Sequence, residues 1–259
     1  MDLGIAGRKA IVCASSRGLG KGCALALAEA GCDIVINGRS DKTLGETAEE
    51  IRSRFNVGVL PVVADVSTKE GQKALLAACP DPDILVNNNG GPPRRHFTAL
   101  DRDAMLTGVI QNMVTPIELI QAVIGRMAER GFGRIVNITS GSVVAPIDGL
   151  DLSSGARAGL TAFVAGICRE FADRNVTINN ILPGKMDTDR FNGSLKIRAE
   201  KNGQPIAEAL AKSLSEIPAR RLGTKEEFGQ LCAFLASKHA GYITGRNFLV
   251  DGGLFPGAF

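Results

Sequence analysis

The sequence predicts an α/β protein built on a parallel sheet, and three observations carry that prediction. Short runs rich in β-branched and aliphatic residues alternate with longer runs at helical spacing, the pattern of βαβ units. The short runs are almost continuously apolar, as in Ile11-Val12-Cys13-Ala14 and Ile84-Leu85-Val86, which suits strands covered on both faces. With 44% hydrophobic residues, a chain of 259 residues has material for one full core and none of the character of a disordered segment.

Seven strands are expected, at residues 9–14, 33–37, 57–64, 83–87, 134–139, 176–182 and 247–250. The first helix begins in the apolar stretch from Cys23 to Ala30. Further on, Met113, Ile117, Ile120, Ile124 and Met127 recur at steps of three and four, as do Leu160, Val164, Ile167 and Phe171. Each stripe marks the face of a helix that packs on the sheet. No repeat, low-complexity tract or linker divides the chain, so residues 1–259 read as a single domain. The polar, Lys-rich stretch 190–219, interrupted at Asn202-Gly203, reads as a substrate lid, the alternative being a surface insertion.

Composition excludes several classes of function. The formal net charge is +3, and no basic run exceeds a pair, at Arg94-Arg95 and at Arg220-Arg221, so no nucleic-acid partner is expected. No apolar stretch approaches the roughly 18 residues of a membrane span, and residues 1–9 lack the pattern of a secretion signal. A cytoplasmic protein without a membrane partner is expected. The six cysteines form no CxxC pair and only two histidines are present, so the thiols read as buried and free, and no metal site is expected.

Between the first strand and first helix runs Ser15-Ser16-Arg17-Gly18-Leu19-Gly20. Glycines there let a pyrophosphate approach the backbone, and the helix N-terminus offers unpaired N–H groups and partial positive charge. Two glycines in this spacing do not make a GxGxxG, and a tight turn without a ligand is the alternative. Arg17 lies in the turn, and Arg39 follows the second strand, where an NAD enzyme carries a carboxylate for the ribose 2′-hydroxyl. Two arginines suit a 2′-phosphate, which makes NADP(H) the preferred cofactor and NAD(H) the secondary one; solvated surface arginines are the alternative.

These and later motifs give the chain a resemblance to the short-chain dehydrogenase/reductase family over essentially its whole length, most closely to 3-oxoacyl-acyl-carrier-protein reductases. The family's TGxxxGxG aligns with Cys13 to Gly20, with the leading Thr-Gly replaced. Asp65-Val66 resembles its adenine-contacting pair, and Asn87-Asn88-Asn89-Gly90 its NNAG motif, with Asn89 for Ala. Pro183-Gly184 and Thr188, with Met186 between, match PGxxxT, and Asp251-Gly252-Gly253 the C-terminal DGG. The resemblance implies a doubly wound, Rossmann-like sheet of about seven strands with helices on both faces. It also implies a cofactor at the carboxyl ends of the strands, and a homotetramer or homodimer. The apolar tail from Leu254 to Phe259 suits either a subunit contact or folding back on its own chain.

The resemblance implies a catalytic tetrad of Asn, Ser, Tyr and Lys, and here the chain departs from the family. Asn112 and Ser140 match, whereas the Tyr position is Ser153 and the Lys position Arg157; the single tyrosine, Tyr242, is out of register. A phenol of pKa about 10 can be drawn toward neutrality by a cation, but a serine hydroxyl cannot. Arg157 stays charged, able to bind the nicotinamide ribose or an anionic group but not to shuttle protons. Three readings follow. A water held by Ser140 and Ser153, or His96, replaces the acid; or the substrate donates its own proton, with Arg157, Arg94 or Arg95 binding its carboxylate; or the chain is a non-catalytic NADP(H)-binding sensor or partner subunit. Pro116, four residues after Asn112, has no N–H for the Asn112 carbonyl, which implies a kink serving either the proton relay or packing alone. The preferred reading is an NADP(H)-dependent oxidoreductase moving hydride to or from a small-molecule carbonyl or secondary alcohol.

Overall fold

The computed structural model describes residues 1–92 and 94–257, so Pro93 of the Pro-rich loop and Ala258 and Phe259 of the apolar tail lie outside the described residues. The strands are β1 (Lys9–Val12), β2 (Asp33–Gly38), β3 (Val59–Val63), β4 (Ile84–Asn87), β5 (Gly133–Ile138), β6 (Val176–Pro183) and β7 (Asn247–Val250). All pair in parallel, in the order β3-β2-β1-β4-β5-β6-β7. The chain therefore winds outward from β1 to one edge, returns to the centre at β4, and winds to the other. All seven expected strands are present. β1 stops two residues early because the backbone turns at Ala14, whose φ is +44°.

The helices are α1 (Gly18–Glu29), α2 (Asp41–Arg54), α3 (Lys69–Ala78), α4 (Arg102–Val109), α5 (Thr115–Glu129), α6 (Asp151–Ile167), α7 (Asp189–Lys201), α8 (Ile206–Ser215) and α9 (Lys225–Ala236). Successive strand residues point to opposite faces, so β1 splits between two apolar layers. Ala10 and Val12 join Leu27 of α1, Leu44 of α2 and Phe228 of α9, while Ile11 joins Leu75 of α3, Val123 of α5 and Val164 of α6. The two predicted stripes lie in the second layer. α6 ends at Ile167, and Phe171 reaches that layer from the turn beyond it.

The helix carrying the glycine turn is clamped from behind. A Cβ on Gly22 would collide with the Lys225 carbonyl of α9, and one on Gly229 with the Gly22 carbonyl. α9 is fixed by a capping box in which the Thr224 hydroxyl accepts from the Glu227 N–H and the Glu227 carboxylate accepts from the Thr224 N–H. Residues 190–219 are mostly helical: α7 and α8 meet through Leu195, Ala199 and Ala209, and Asn202-Gly203 forms the turn between them, with Gly203 at φ +60°. All six cysteines are buried free thiols, and burial pushes Cys13 up to about 12, so it packs as an inert side chain. Among the described residues no helix is long and apolar enough to cross a membrane.

Candidate active site

The reversal of winding direction between β1 and β4 opens a crevice at the carboxyl ends of the strands. The turn leaving β1 lines it. Ser15 is locked there, its N–H donating to the Asn37 carbonyl at 2.7 Å and its hydroxyl to the Val12 carbonyl at 2.7 Å. Buried Asn37 ties three segments together, accepting from the Ala14 N–H at 3.3 Å and donating to the Val62 and Ala64 carbonyls. Gly18 takes φ +58°, and a Cβ on Gly20 would collide with the Ala14 carbonyl and the Asn88 amide. Helices α2, α3, α4, α7 and α9 are capped by Ser40, Thr68, Asp101, Thr188 and Thr224. Helix α1 has no side-chain cap at Arg17 and no acid in its first turn, so its N–H groups face the crevice with a partial positive charge.

The other predicted nucleotide residues surround this turn. Arg17 and Arg39 are each 73% exposed, with only long contacts of 3.9 Å to Asp189 and Asp65. Such surface pairs are worth little, so both guanidinium groups are available. Asp65 accepts from the Ser67 N–H, Val66 is buried, and Leu19 is partly buried. Asn88 donates to the Ala14 carbonyl at 3.1 Å. Asn89 donates to the Ser67 hydroxyl at 2.8 Å and the Gln111 carbonyl at 3.2 Å, and accepts from the Gly90 N–H. The Asn that replaces the family's Ala thus fastens the loops after β3 and β4 to the helix carrying Asn112. Across the crevice, the Gly184 N–H bonds the Val250 carbonyl, Met186 is buried, and the Thr188 methyl approaches within 3.9 Å of a Cβ placed on Gly18.

The predicted tetrad converges on the same crevice. Between α4 and α5 the helix widens into a π-turn over Ile110–Val114, where the Thr115 N–H bonds the Ile110 carbonyl. Pro116 withholds the N–H that α-helical register would give the Asn112 carbonyl, so the wider turn is written into the sequence. Asn112 is buried there and donates to the Gly108 carbonyl at 3.1 Å. Ser140 follows β5, its hydroxyl oxygen accepting from the Ser142 N–H at 3.1 Å and the Ser142 hydroxyl at 2.9 Å. Ser153 and Arg157 lie one turn apart on α6, both buried. Arg157 Nε donates to Ser153 Oγ at 3.3 Å and Nη1 to the Ile138 carbonyl at 2.7 Å. Burial, and secondarily the charge of Arg190, pushes Arg157 down to about 10, which still leaves it charged at neutral pH. His96 is exposed, with Nδ1 lying 2.8 Å from the Thr98 hydroxyl. Tyr242 is fully exposed.

Sequence reasoning missed a row of asparagines beneath the site. Asn87 donates to Asn137, Asn137 to Asn180, and Asn180 to Asn247, at 2.8–3.0 Å across neighbouring positions of β4 to β7. The signal was present, since each strand carries an Asn within or beside an apolar run, but only the register shows that they join. At one end is a cavity of about 20 Å³ lined by Asn87, Asn112, Thr115, Pro116 and Arg157, room for a single water. The side-chain amide oxygens of Asn87 and Asn112 and the Thr115 hydroxyl are buried without a protein partner, which makes the cavity polar.

A family model described as enoyl-(acyl carrier protein) reductase matches residues 13–255. The chain belongs to the short-chain dehydrogenase/reductase family. Among its relatives, the NADPH-dependent reductase BacG of Bacillus subtilis is 31% identical over 251 residues, spanning 95% of this chain and 97% of that one. The 3-oxoacyl-(acyl-carrier-protein) reductase FabG of Vibrio harveyi is 32% identical over 257 residues, 98% of this chain and 99% of the relative. The solved structure of L-sorbose reductase from Gluconobacter frateurii, complexed with NADPH and L-sorbose, superposes with a TM-score of 0.93 at 29% identity. That match covers 99% of this short-chain dehydrogenase/reductase and all of the sorbose enzyme.

Proposed function

We propose that this protein is an NADP(H)-dependent oxidoreductase that interconverts a carbonyl and a secondary alcohol, with Asn112, Ser140, Ser153 and Arg157 in place of the usual tetrad. The observation that carries the reading is the uncapped start of α1 opening into the crevice that also holds Ser153 and Arg157. The cradle fits the cofactor: glycine where a Cβ would collide, N–H groups for a pyrophosphate, and two exposed arginines for a 2′-phosphate.

In this reading the turn from Ser15 to Gly20 holds the pyrophosphate, Arg17 and Arg39 the 2′-phosphate, and Asp65 and Val66 the adenine. Asn88, Asn89, Gly90, Pro183, Gly184, Met186 and Thr188 shape the nicotinamide end, and Arg157 binds the ribose beside it. When bound, the nicotinamide supplies or accepts the hydride. Ser140 and Ser153 orient the substrate oxygen through their hydroxyls. Neither ionises near neutral pH, so a water held between them relays the proton, giving one to the substrate oxygen as it takes one from solvent. His96 is the alternative donor: its Nδ1 is held by Thr98 and its Nε2 is free among the described residues. Helices α7 and α8, packed on their own small apolar cluster, act as the substrate lid.

One observation favours a second reading. No side chain of the tetrad titrates near neutrality, which suits an NADP(H)-binding sensor or partner subunit without turnover. Deuterium transfer separates the two. NADPH labelled at the nicotinamide C4 is incubated with the protein and a panel of ketones and aldehydes, and the alcohols are analysed by mass spectrometry. Label in an alcohol supports the oxidoreductase. Tight NADPH binding with no label in any product supports the sensor.

A further inference from the structure

Four arginines from three separate segments gather at the mouth of the crevice above Ser153. Arg157 lies at the bottom, its guanidinium fixed by Ser153 and the Ile138 carbonyl. The loop after β4 is pinned to the segment before α6, where the Arg95 N–H donates to the Gly149 carbonyl at 3.0 Å and Arg94 Cβ lies 3.6 Å from a Cβ placed on Gly149. That anchor brings Arg94 beside the start of the helix that carries Ser153. From the first turn of α7, the Arg190 guanidinium sets its Nη1/Nη2 edge against Gly91, where a Cβ would collide with it, and Nη2 donates to the Pro92 carbonyl at 3.4 Å. Arg198, further along α7, is held by the Ser213 hydroxyl of α8.

These charges act on one another. Arg190 depresses Arg157, Arg94 depresses Arg190, and Arg198 depresses Arg94, in each case behind the larger effect of burial. Among the described residues no carboxylate lies within 4.0 Å of Arg94, Arg157, Arg190 or Arg198. Asp148 stands near enough to Arg94 to offset part of the repulsion, but not to pair with it. The nearby Asp189 contacts Arg17, on the nucleotide side. Arg157 is buried while Arg94, Arg190 and Arg198 are exposed at the rim, so solvent screens part of their repulsion and an anion entering between them relieves the rest. Guanidinium forks match planar oxyanions in particular.

We infer that the substrate of this site carries an oxyanion, a carboxylate or a phosphate, a few bonds from the reacting carbon, and that Arg94 and Arg190 bind it from above while Arg157 faces it from below. The inference rests on the oxidoreductase reading for the word substrate, but the oxyanion site itself does not depend on turnover. The Arg190 guanidinium packs on Gly91, whereas the side chain nearest Gly18 is Thr188, which separates this site from the one that holds the cofactor pyrophosphate.

Titration calorimetry tests the site on the full chain, with and without saturating NADPH. The probes are short straight-chain 2- and 3-oxo acids, their methyl esters, and 2-oxoalkyl phosphates. The acids or the phosphates bind, and whichever arm binds more tightly identifies the head group. The neutral esters bind at least about tenfold more weakly. Arg94→Gln and Arg190→Gln bring the anions down to the level of the esters while NADPH affinity is unchanged, and Arg190→Lys keeps part of the binding. Three results overturn the inference: esters that bind as well as acids, anion binding unaffected in both glutamine variants, or NADPH affinity that falls in step with them. Anion binding without NADPH oxidation keeps the oxyanion site and removes the oxidoreductase reading. Absence of any binding by acids and phosphates removes the site, while deuterium transfer to neutral ketones would leave the oxidoreductase reading standing.

Discussion

The nucleotide half of the crevice, from β1 to the Asp65 turn, and the reaction half, from β4 to α6, are built differently. The first is made largely of backbone: positive φ at Ala14 and Gly18, a glycine contact at Gly20, and the Asn37 side chain bonding main-chain groups of two neighbouring segments. A site made of backbone tolerates side-chain change, and Cys13-Ala14 stands where the family carries Thr-Gly, with Ala14 at φ +44°. The second half is made of side chains, and its scaffold is intact. The π-turn holds Asn112, Ser140 follows β5, and residues 153 and 157 stand one helical turn apart. Yet the group that should titrate is gone. On the proposed reading, position and chemistry are separable here: residues 153 and 157 keep their spacing on α6 while their side chains differ from the family pair.

The most direct way to sharpen that contrast is to put the chemistry back. Ser153→Tyr with Arg157→Lys returns an acid of tunable pKa to an undisturbed frame, and carbonyl reduction measured by NADPH absorbance rises by about a hundredfold. An unchanged rate would show that the reaction half has diverged in shape as well as in chemistry. On the nucleotide side, Gly22→Ala forces α1 away from α9 and costs about 2 kcal/mol in denaturant unfolding, with weaker NADPH binding as a consequence. Arg39→Ala weakens NADPH about tenfold and leaves NADH alone; an equal loss for both would remove Arg39 from the 2′-phosphate. Ala14→Gly relieves a left-handed residue and stabilises the fold by about 1 kcal/mol.

The smallest effect is a dependence on pH. The Arg221 guanidinium, followed by the Thr224 N–H, holds the Glu227 carboxyl down from 4.5 to about 2. A depressed carboxyl stabilises the native state above its ordinary value, and that contribution fades as pH falls from 4.5 toward 2. Thermal melts across this range show a shallower loss in Glu227→Gln than in the parent.

All seven strands were legible because buried parallel strands are continuous apolar runs, and the π-turn was foreshadowed by Pro116 alone. Other features needed three dimensions. Helices α7 and α8 hide in a polar stretch because they bury only a few side chains against each other. Arg94, Arg157 and Arg190 are scattered through the chain, and only the Gly149 and Gly91 contacts bring them to one mouth. The asparagine row depends on strand register, which no single strand reveals. His96 needed three dimensions too: the loop sequence shows its type, and only the structure shows Nδ1 turned to Thr98.

The central claim is that the nucleotide half works as a cofactor site although the reaction half has changed. A fluorescence titration of the purified, folded protein with NADPH and separately with NADH tests it without any assumption about substrate. Saturable, tight binding of NADPH with much weaker binding of NADH is the predicted result. Failure to bind either nucleotide would contradict the claim and reduce the glycine turn to a turn.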